Sequence, residues 1–310
     1  MLDRIRGRLR TFEKEIVITI VHIRGYLRRL QRSPAFRYLR RDIRAKVGGV
    51  IVLLVVFTAI FAGFIARHDP TTQNLSNRFQ GPSWEYPFGT DDAGRDIFSR
   101  VVYGARTALI IGTLLVVVQT SIGLPLGLLA GYRGGKVDNL IMRLVDAVLA
   151  MPGLIIALAF VAVFGPGIYK VVLALAITGW AGCARLMRGQ TLAIKEETYI
   201  EAARAIGEKD RTIIFNYVLP NAISPLIVMM TMTFPAAILL SASMSFLGLG
   251  VMPPTPDWGY DLNAYKKFMG DPMPAPLMTI LPGIVMVITI FGFNFFGDAL
   301  RDAYDPRLRE

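Results

Sequence analysis

The chain has one cysteine, Cys183, and two histidines, His22 and His68, in 310 residues. A lone cysteine excludes an internal disulfide framework and a thiolate metal cluster. Two histidines leave little for a His-based metal or catalytic centre. There is no Gly-x4-Gly-Lys-Ser/Thr loop, so the chain does not cradle a nucleotide by that device, and no HExxH pair or nucleophile–base arrangement is present. Charge is scarce as well, at 18% against 53% hydrophobic residues. A mean hydropathy of +0.47 leaves too little polar surface for an ordinary soluble enzyme. These shortages point to a membrane protein without catalytic machinery of its own.

The charge that is present is unevenly placed. Lysine and arginine number 34 against 23 acidic residues, a formal net charge of +11. Residues 1–46 hold fourteen basic side chains, among them Arg40, Arg41, Arg44 and Lys46, against Asp3, Glu13, Glu15 and Asp42, a difference of +10. The charge is gathered beside a long apolar run, which favours a membrane-flanking arm over a nucleic-acid surface. The charge-free run 47–66 follows at once. Twenty residues of helix rise about 30 Å, the thickness of a hydrocarbon core. A basic flank before the first span predicts a cytoplasmic N-terminus. A cleaved signal peptide is disfavoured by the length of the charged region and by the poor site at Gly63–Arg67. The short apolar patch Ile16–Ile23 suits an amphipathic surface helix.

Hydropathy predicts an all-α, polytopic bundle of six spans, near 47–66, 107–131, 144–164, 168–185, 222–249 and 276–297. Both ends are then cytoplasmic. The division is a basic arm (1–46), a first span, an external loop (67–106), a five-span core (107–297) with a cytoplasmic insert (186–221), and a tail (298–310). Gly123 and Gly127 form a GxxxG pair suited to close helix packing. Pro225 and Pro235 in the fifth span read equally as kinks or as tolerated membrane prolines. Asp146 with Arg143 is expected to be a local ion pair at i,i+3 rather than a proton relay. Met229, Met230, Met232 and Met244 read as packing residues in preference to metal ligands.

The insert is the informative segment. Thr191 to Ile206 reads as helical, Gly207 as a C-cap or sharp turn, and Asp210 as the cap of a second helix from Arg211 to Val218 that Leu219-Pro220 ends. A helix–glycine–helix device held between two spans can pass a push on its turn to both. An ordinary structured loop would need neither the glycine nor the Leu-Pro.

Glu201-Ala202-Ala203, three residues, Gly207, then Leu219-Pro220 resembles the EAA loop of ABC importer permeases, with Tyr217 where the family has isoleucine. Phe88-Gly89-Thr90-Asp91-Asp92-Ala93-Gly94-Arg95-Asp96 with Ser99-Arg100 is similar to a block of the dipeptide, oligopeptide and nickel permeases. So are Ser245–Val251 with Pro253–Gly259, and Gly297–Asp302 leading to Asp305-Pro306-Arg307, which resemble the C-type subunit. The resemblance runs from about residue 35 to the end.

The resemblance implies a type I ABC importer permease core in the inner cell membrane, and a coupling role for Glu201, Ala202, Ala203, Gly207, Tyr217, Leu219 and Pro220. It implies a second homologous permease, two ATP-binding subunits that hold ATP and magnesium, and an external solute-binding protein. No cofactor or metal is expected on this chain, and membrane lipid is its surrounding partner. Gly89, Thr90, Asp91, Gly94, Arg95, Asp96 and Trp258 read either as a contact for the binding protein or as structural turns. In the second reading Asp91 or Asp92 caps a helix, Arg95 pairs with a carboxylate, and Trp258 sits at the membrane interface. Peptides are the expected cargo, with nickel or another small solute as the alternative. An ion-coupled secondary transporter is the competing class, disfavoured by nearly charge-free span interiors and no visible repeat.

Overall fold

The computed structural model describes residues 34–272 and 274–304. Most of the basic arm, including Ile16–Ile23, and the tail 305–310 lie outside them. The long elements among the described residues are all α-helices, joined by turns of which the longest is 66–96: α1 (Pro34–Arg41), α2 (Ile43–Ile60), α3 (Ala62–Ile65), α4 (Ile97–Arg133), α5 (Gly135–Leu149), α6 (Gly153–Phe164), α7 (Ile168–Lys195), α8 (Thr198–Ala205), α9 (Asp210–Ile213), α10 (Leu219–Phe246), α11 (Trp258–Tyr265) and α12 (Ala275–Tyr304).

Five stretches are long and apolar enough to cross a membrane: α2, α4, α7, the continuous run Asp210–Phe246, and α12. The expected third span, 144–164, is instead broken. Helices α5 and α6 meet at 80° around Met151-Pro152, because the residue before a proline is pushed out of the helical region. Helix packing shows what this bent pair does. A Cβ added at Gly123, Gly127 or Gly131 of α4 would approach Cys183, Ala184 and Thr191 of α7 to 2.5, 2.4 and 2.7 Å. Contacts that advance together along both helices mean that α4 and α7 run parallel. The chain between them must therefore return to the far end of the bundle, so α5 and α6 together make one crossing, and the spans number six. The GxxxG pair lies in this seam, where only glycine lets the backbones approach so closely.

Helices α4, α7 and α12 run beyond the expected spans, whereas the first span is shifted toward the N-terminus and ends at Ile60, before α3, instead of at 66. Asp42 caps α2, accepting from the backbone N–H groups of Arg44 and Ala45, and Asp96 caps α4, accepting from those of Phe98 and Ser99. Arg44 Nη2 donates to Asp302 Oδ2 at 2.7 Å, which ties the start of α2 to the end of α12. The two ends of the described chain thus share one face. The predicted Asp146–Arg143 pair is replaced by an interhelical one: Asp146 pairs with Arg185 of α7, and Asp138 with Arg188 Nη2 at 2.6 Å. Packing of α5 along α7 brings these arginines closer than the local neighbour. Pro225 and Pro235 both lie inside an unbroken α10.

Candidate functional site

Helix α7 ends at Lys195, and Glu196-Glu197 form a break before α8, so the expected single helix 191–206 is two. Helix α8 closes in a Schellman turn. The N–H of Gly207 donates to Arg204 O at 3.0 Å and that of Glu208 to Ala203 O at 3.1 Å. Gly207 has φ +83°, a left-handed conformation that a Cβ disfavours. Asp210 does not cap the next helix. It opens α9 behind Lys209, and its Oδ1 accepts from the Tyr132 hydroxyl at 2.6 Å. Nor does Leu219-Pro220 end a helix: Ile214–Val218 form a π turn that leads straight into α10. Proline has no N–H, and its ring crowds the carbonyl four residues back, so widening the preceding turn lets the helix continue. Asn221 Nδ2 donates to Tyr217 O at 2.7 Å beside it.

The spaced motif is brought together on one core. Ala203 is buried with Ile200, Tyr132, Met187, Ile213 and Val218, while Tyr217 and Leu219 pack against the same cluster. Glu201, Ala202, Gly207 and Pro220 lie at the surface. Ile206 projects beside Gly207 with 78% of its surface exposed, an apolar side chain where packing alone would place a polar one. Sequence reasoning missed Tyr132. This residue at the end of α4 receives Lys195 Nζ on its carbonyl at 2.7 Å and the Arg204 guanidinium over its ring at 5.7 Å. No spacing rule connects it to residues 63 to 78 positions away.

The second predicted group lies at the other end of the bundle, and all seven of its residues are buried. Asp91 Oδ2 accepts from Arg95 Nε at 2.7 Å and from the Tyr265 hydroxyl at 2.7 Å, and its Oδ1 accepts the N–H groups of Ala93 and Arg95. Gly89 and Gly94 have φ +80° and +73° in the turns around it, and the Thr90 hydroxyl donates to Asn77 O. The helix cap is Asp96, in place of Asp91 or Asp92. Trp258 is 3% exposed, its Nε1 donating to Val101 O at 3.0 Å, so it is a packed anchor rather than an interfacial residue. It sits at the start of α11, a helix that the expected loop 250–275 concealed.

Beneath α11, Arg100 Nη2 donates to Asp261 Oδ1 at 2.5 Å, and both side chains are 1% exposed. Burial pushes the Asp261 carboxyl up against the opposing pull of Arg100, and pushes the Tyr265 hydroxyl up. Asp257 caps α11 by accepting from Tyr260 N at 2.8 Å, and burial pushes its carboxyl up to about 6. Among the described residues no three His, Cys, Asp or Glu side chains gather as metal ligands.

Residues 123–310 match the family described as binding-protein-dependent transport system inner membrane component. Residues 31–82 match the N-terminal transmembrane domain of oligopeptide transport permease C. The chain is 42% identical over 275 residues to a dipeptide transport system permease protein of Alkalihalophilus pseudofirmus, covering 89% of this chain and 90% of that one. It is 44% identical over 278 residues to a glutathione transport system permease protein of Escherichia coli, covering 88% and 90%. It is 40% identical over 282 residues to an oligopeptide transport system permease protein of Bacillus subtilis, covering 90% of each. In fold it is similar to an inward-facing structure of the MetNI methionine ABC transporter, with a TM-score of 0.53 and 22% identity, over 66% of this chain and 96% of that chain.

Proposed function

Because the chain belongs to the family of binding-protein-dependent transport system inner membrane components, the non-catalytic membrane permeases of ABC importers, we propose that its cargo is short peptides and that the insert 186–221 carries ATP-driven movement into its spans. Relatives at 40 to 44% identity are described as dipeptide, oligopeptide and glutathione permeases, all handling peptides or a peptide derivative. The family implies ATPase and binding-protein partners. In our reading these are two ATP-binding subunits, which hold ATP and magnesium, a second homologous permease, and an external solute-binding protein. In the same reading the positive charge of residues 1–46 marks the cytoplasmic face.

One observation carries the coupling role: a glycine-turned ridge is exposed above a buried hinge. Glu201, Ala202 and Ile206 face outward, while Ile200 and Ala203 anchor the same short helix in the core. A partner that grips the ridge moves α8 as a body. The displacement reaches α7 across the Glu196-Glu197 break, α4 through Tyr132, and α10 through Asp210 and the π turn. The spans then exchange inward- and outward-facing arrangements, and the ATPase states select between them by differential affinity. The buried Asp91–Arg95–Tyr265 group serves as the structural turn that fixes α11 against α4; its burial leaves it no side chain to offer a binding protein.

The test is Gly207→Val. Open space surrounds the position, so only the left-handed backbone opposes a side chain, at about 1–2 kcal/mol. The complex is expected to assemble and ATP-dependent peptide uptake to fall by roughly tenfold, since 1.4 kcal/mol is a factor of ten. Undiminished uptake by an assembled complex would remove the coupling role.

A further inference from the structure

Between α7, α10 and α12 lies an open groove of about 620 Å³, and its wall is chemically mixed. Leu186, Val228, Met229 and Met232 make it apolar, whereas Gln190, Ser224, Arg301 and Tyr304 bring polar atoms to it. Ser224 lies within a span, where polar side chains face the bundle interior or a water-filled cavity, and Gln190, Arg301 and Tyr304 continue the polar wall to the ends of α7 and α12.

Three features give the groove its character. First, its polar groups are uncommitted. On α10 the hydroxyls of Thr231, Thr233, Ser241 and Ser243 each donate to a carbonyl three or four residues back, whereas Ser224 has no partner among the described residues. The Gln190 amide and the Arg301 guanidinium likewise have no hydrogen-bond or acidic partner among the described residues. Second, Pro225 lines the groove and has no N–H to return to the Asn221 carbonyl, which leaves a backbone acceptor of the helix without its usual donor. Third, a Cβ at Gly182 would meet nothing within 4 Å, so packing within the chain does not demand glycine there; its effect is to keep the groove wide.

We propose that this groove is the inner part of the solute path and that it receives a peptide main chain with its C-terminal carboxylate toward Arg301. The chemistry matches group by group. A peptide backbone presents alternating donors and acceptors, which the Gln190 amide and the Ser224 and Tyr304 hydroxyls satisfy without reading sequence. Varied side chains lie against methionines, which adapt to different shapes. A guanidinium pairs with a carboxylate in a bidentate fork. The proposal rests on the reading of the chain as a peptide permease and adds where the peptide passes.

The experiment uses the assembled complex in proteoliposomes, in a Cys183→Ala background, with single cysteines at Ser224→Cys, at Met232→Cys and, as a lipid-facing control, at Leu53→Cys on α2. The probes are a water-soluble anionic thiosulfonate, its cationic counterpart, and a lipophilic maleimide. The groove cysteines are expected to react with both water-soluble reagents and the control only with the maleimide. The anionic reagent is expected to react roughly tenfold faster than the cationic one at Ser224→Cys, and Arg301→Gln to erase that preference. Reaction with the maleimide alone would make the groove a lipid site, and reaction with no reagent would mean that another subunit covers it. Water access without an anionic preference would remove the carboxylate assignment; each of these three results overturns the proposal. ATP-dependent uptake by the parent complex is read in parallel. Labelled groove cysteines in a complex that carries no peptide would refute the peptide reading and leave the aqueous groove in place.

Discussion

Buried charge at the outer end of the bundle is held by partners far apart in the chain. Arg100 and Asp261 are separated by 161 positions and meet at 2.5 Å with water excluded. Such a pair contributes little beyond an apolar one, but breaking it exposes the survivor's full desolvation penalty. Asp261→Ala is therefore expected to destabilise the detergent-solubilised protein by about 3–5 kcal/mol in denaturant unfolding. The double substitution Arg100→Met with Asp261→Leu should recover most of that loss. Asp257 responds to pH in a defined direction. Its carboxyl is pushed up to about 6 from an ordinary 3.8, so the folded state favours the neutral form. Its stabilising contribution is complete below the ordinary value and is lost as pH rises through about 6. Asp257→Asn keeps the helix cap and removes the titration. Thermal unfolding between about pH 4 and pH 6.5 is expected to be flatter in that variant than in the parent.

At the scale of the element, the helix–glycine–helix device was legible in outline because its signals are local. Gly207 adopts the left-handed cap that its position after an alanine-rich run predicts, and this follows from backbone sterics alone. The places where expectation failed are those where tertiary packing outvoted local preference. Leu219-Pro220 reads as a terminator, yet burial of Val218 and Ala222 in the common core holds the helix together through a π turn. Asp210 reads as a cap, yet the nearby Tyr132 hydroxyl claims its carboxylate. Trp258 reads as interfacial, yet Gly104 leaves a recess for its indole: a Cβ there would stand 2.3 Å from Nε1. Tyr132 also yields a prediction at this scale. Tyr132→Phe keeps the ring beneath Lys195 and Arg204 but removes the bond to Asp210, a loss of about 1–2 kcal/mol. The expected result is less peptide carried per ATP hydrolysed, measured by simultaneous uptake and phosphate release. An unchanged ratio would show that α4 takes no part in transmission.

For the whole molecule, hydropathy counted six passages and located five of them as single helices. The third needed three dimensions. Its 80° break follows from Met151-Pro152, but that it still makes one crossing follows only from the parallel seam of α4 and α7. The basic arm set the proposed orientation, and the Arg44–Asp302 bond places both described ends on one face, which also carries the end of α7 that leads to α8, since Gln190 and Tyr304 line one groove. The exposed ridge of the proposed coupling role and Tyr132 beneath it are thus gathered at one end, and the buried Arg100–Asp261 pair lies at the other. The most direct test of this arrangement is peptide uptake by the complex reconstituted with its ATPase subunits and binding protein, comparing the parent with Ile206→Asp. Placing a charge on the exposed apolar side chain should leave the fold intact, since 78% of that residue meets solvent, and should disrupt a partner's grip. The account predicts uptake that requires both ATP and the binding protein and that Ile206→Asp abolishes. Full uptake by Ile206→Asp, or uptake by the chain alone along an ion gradient, would contradict it.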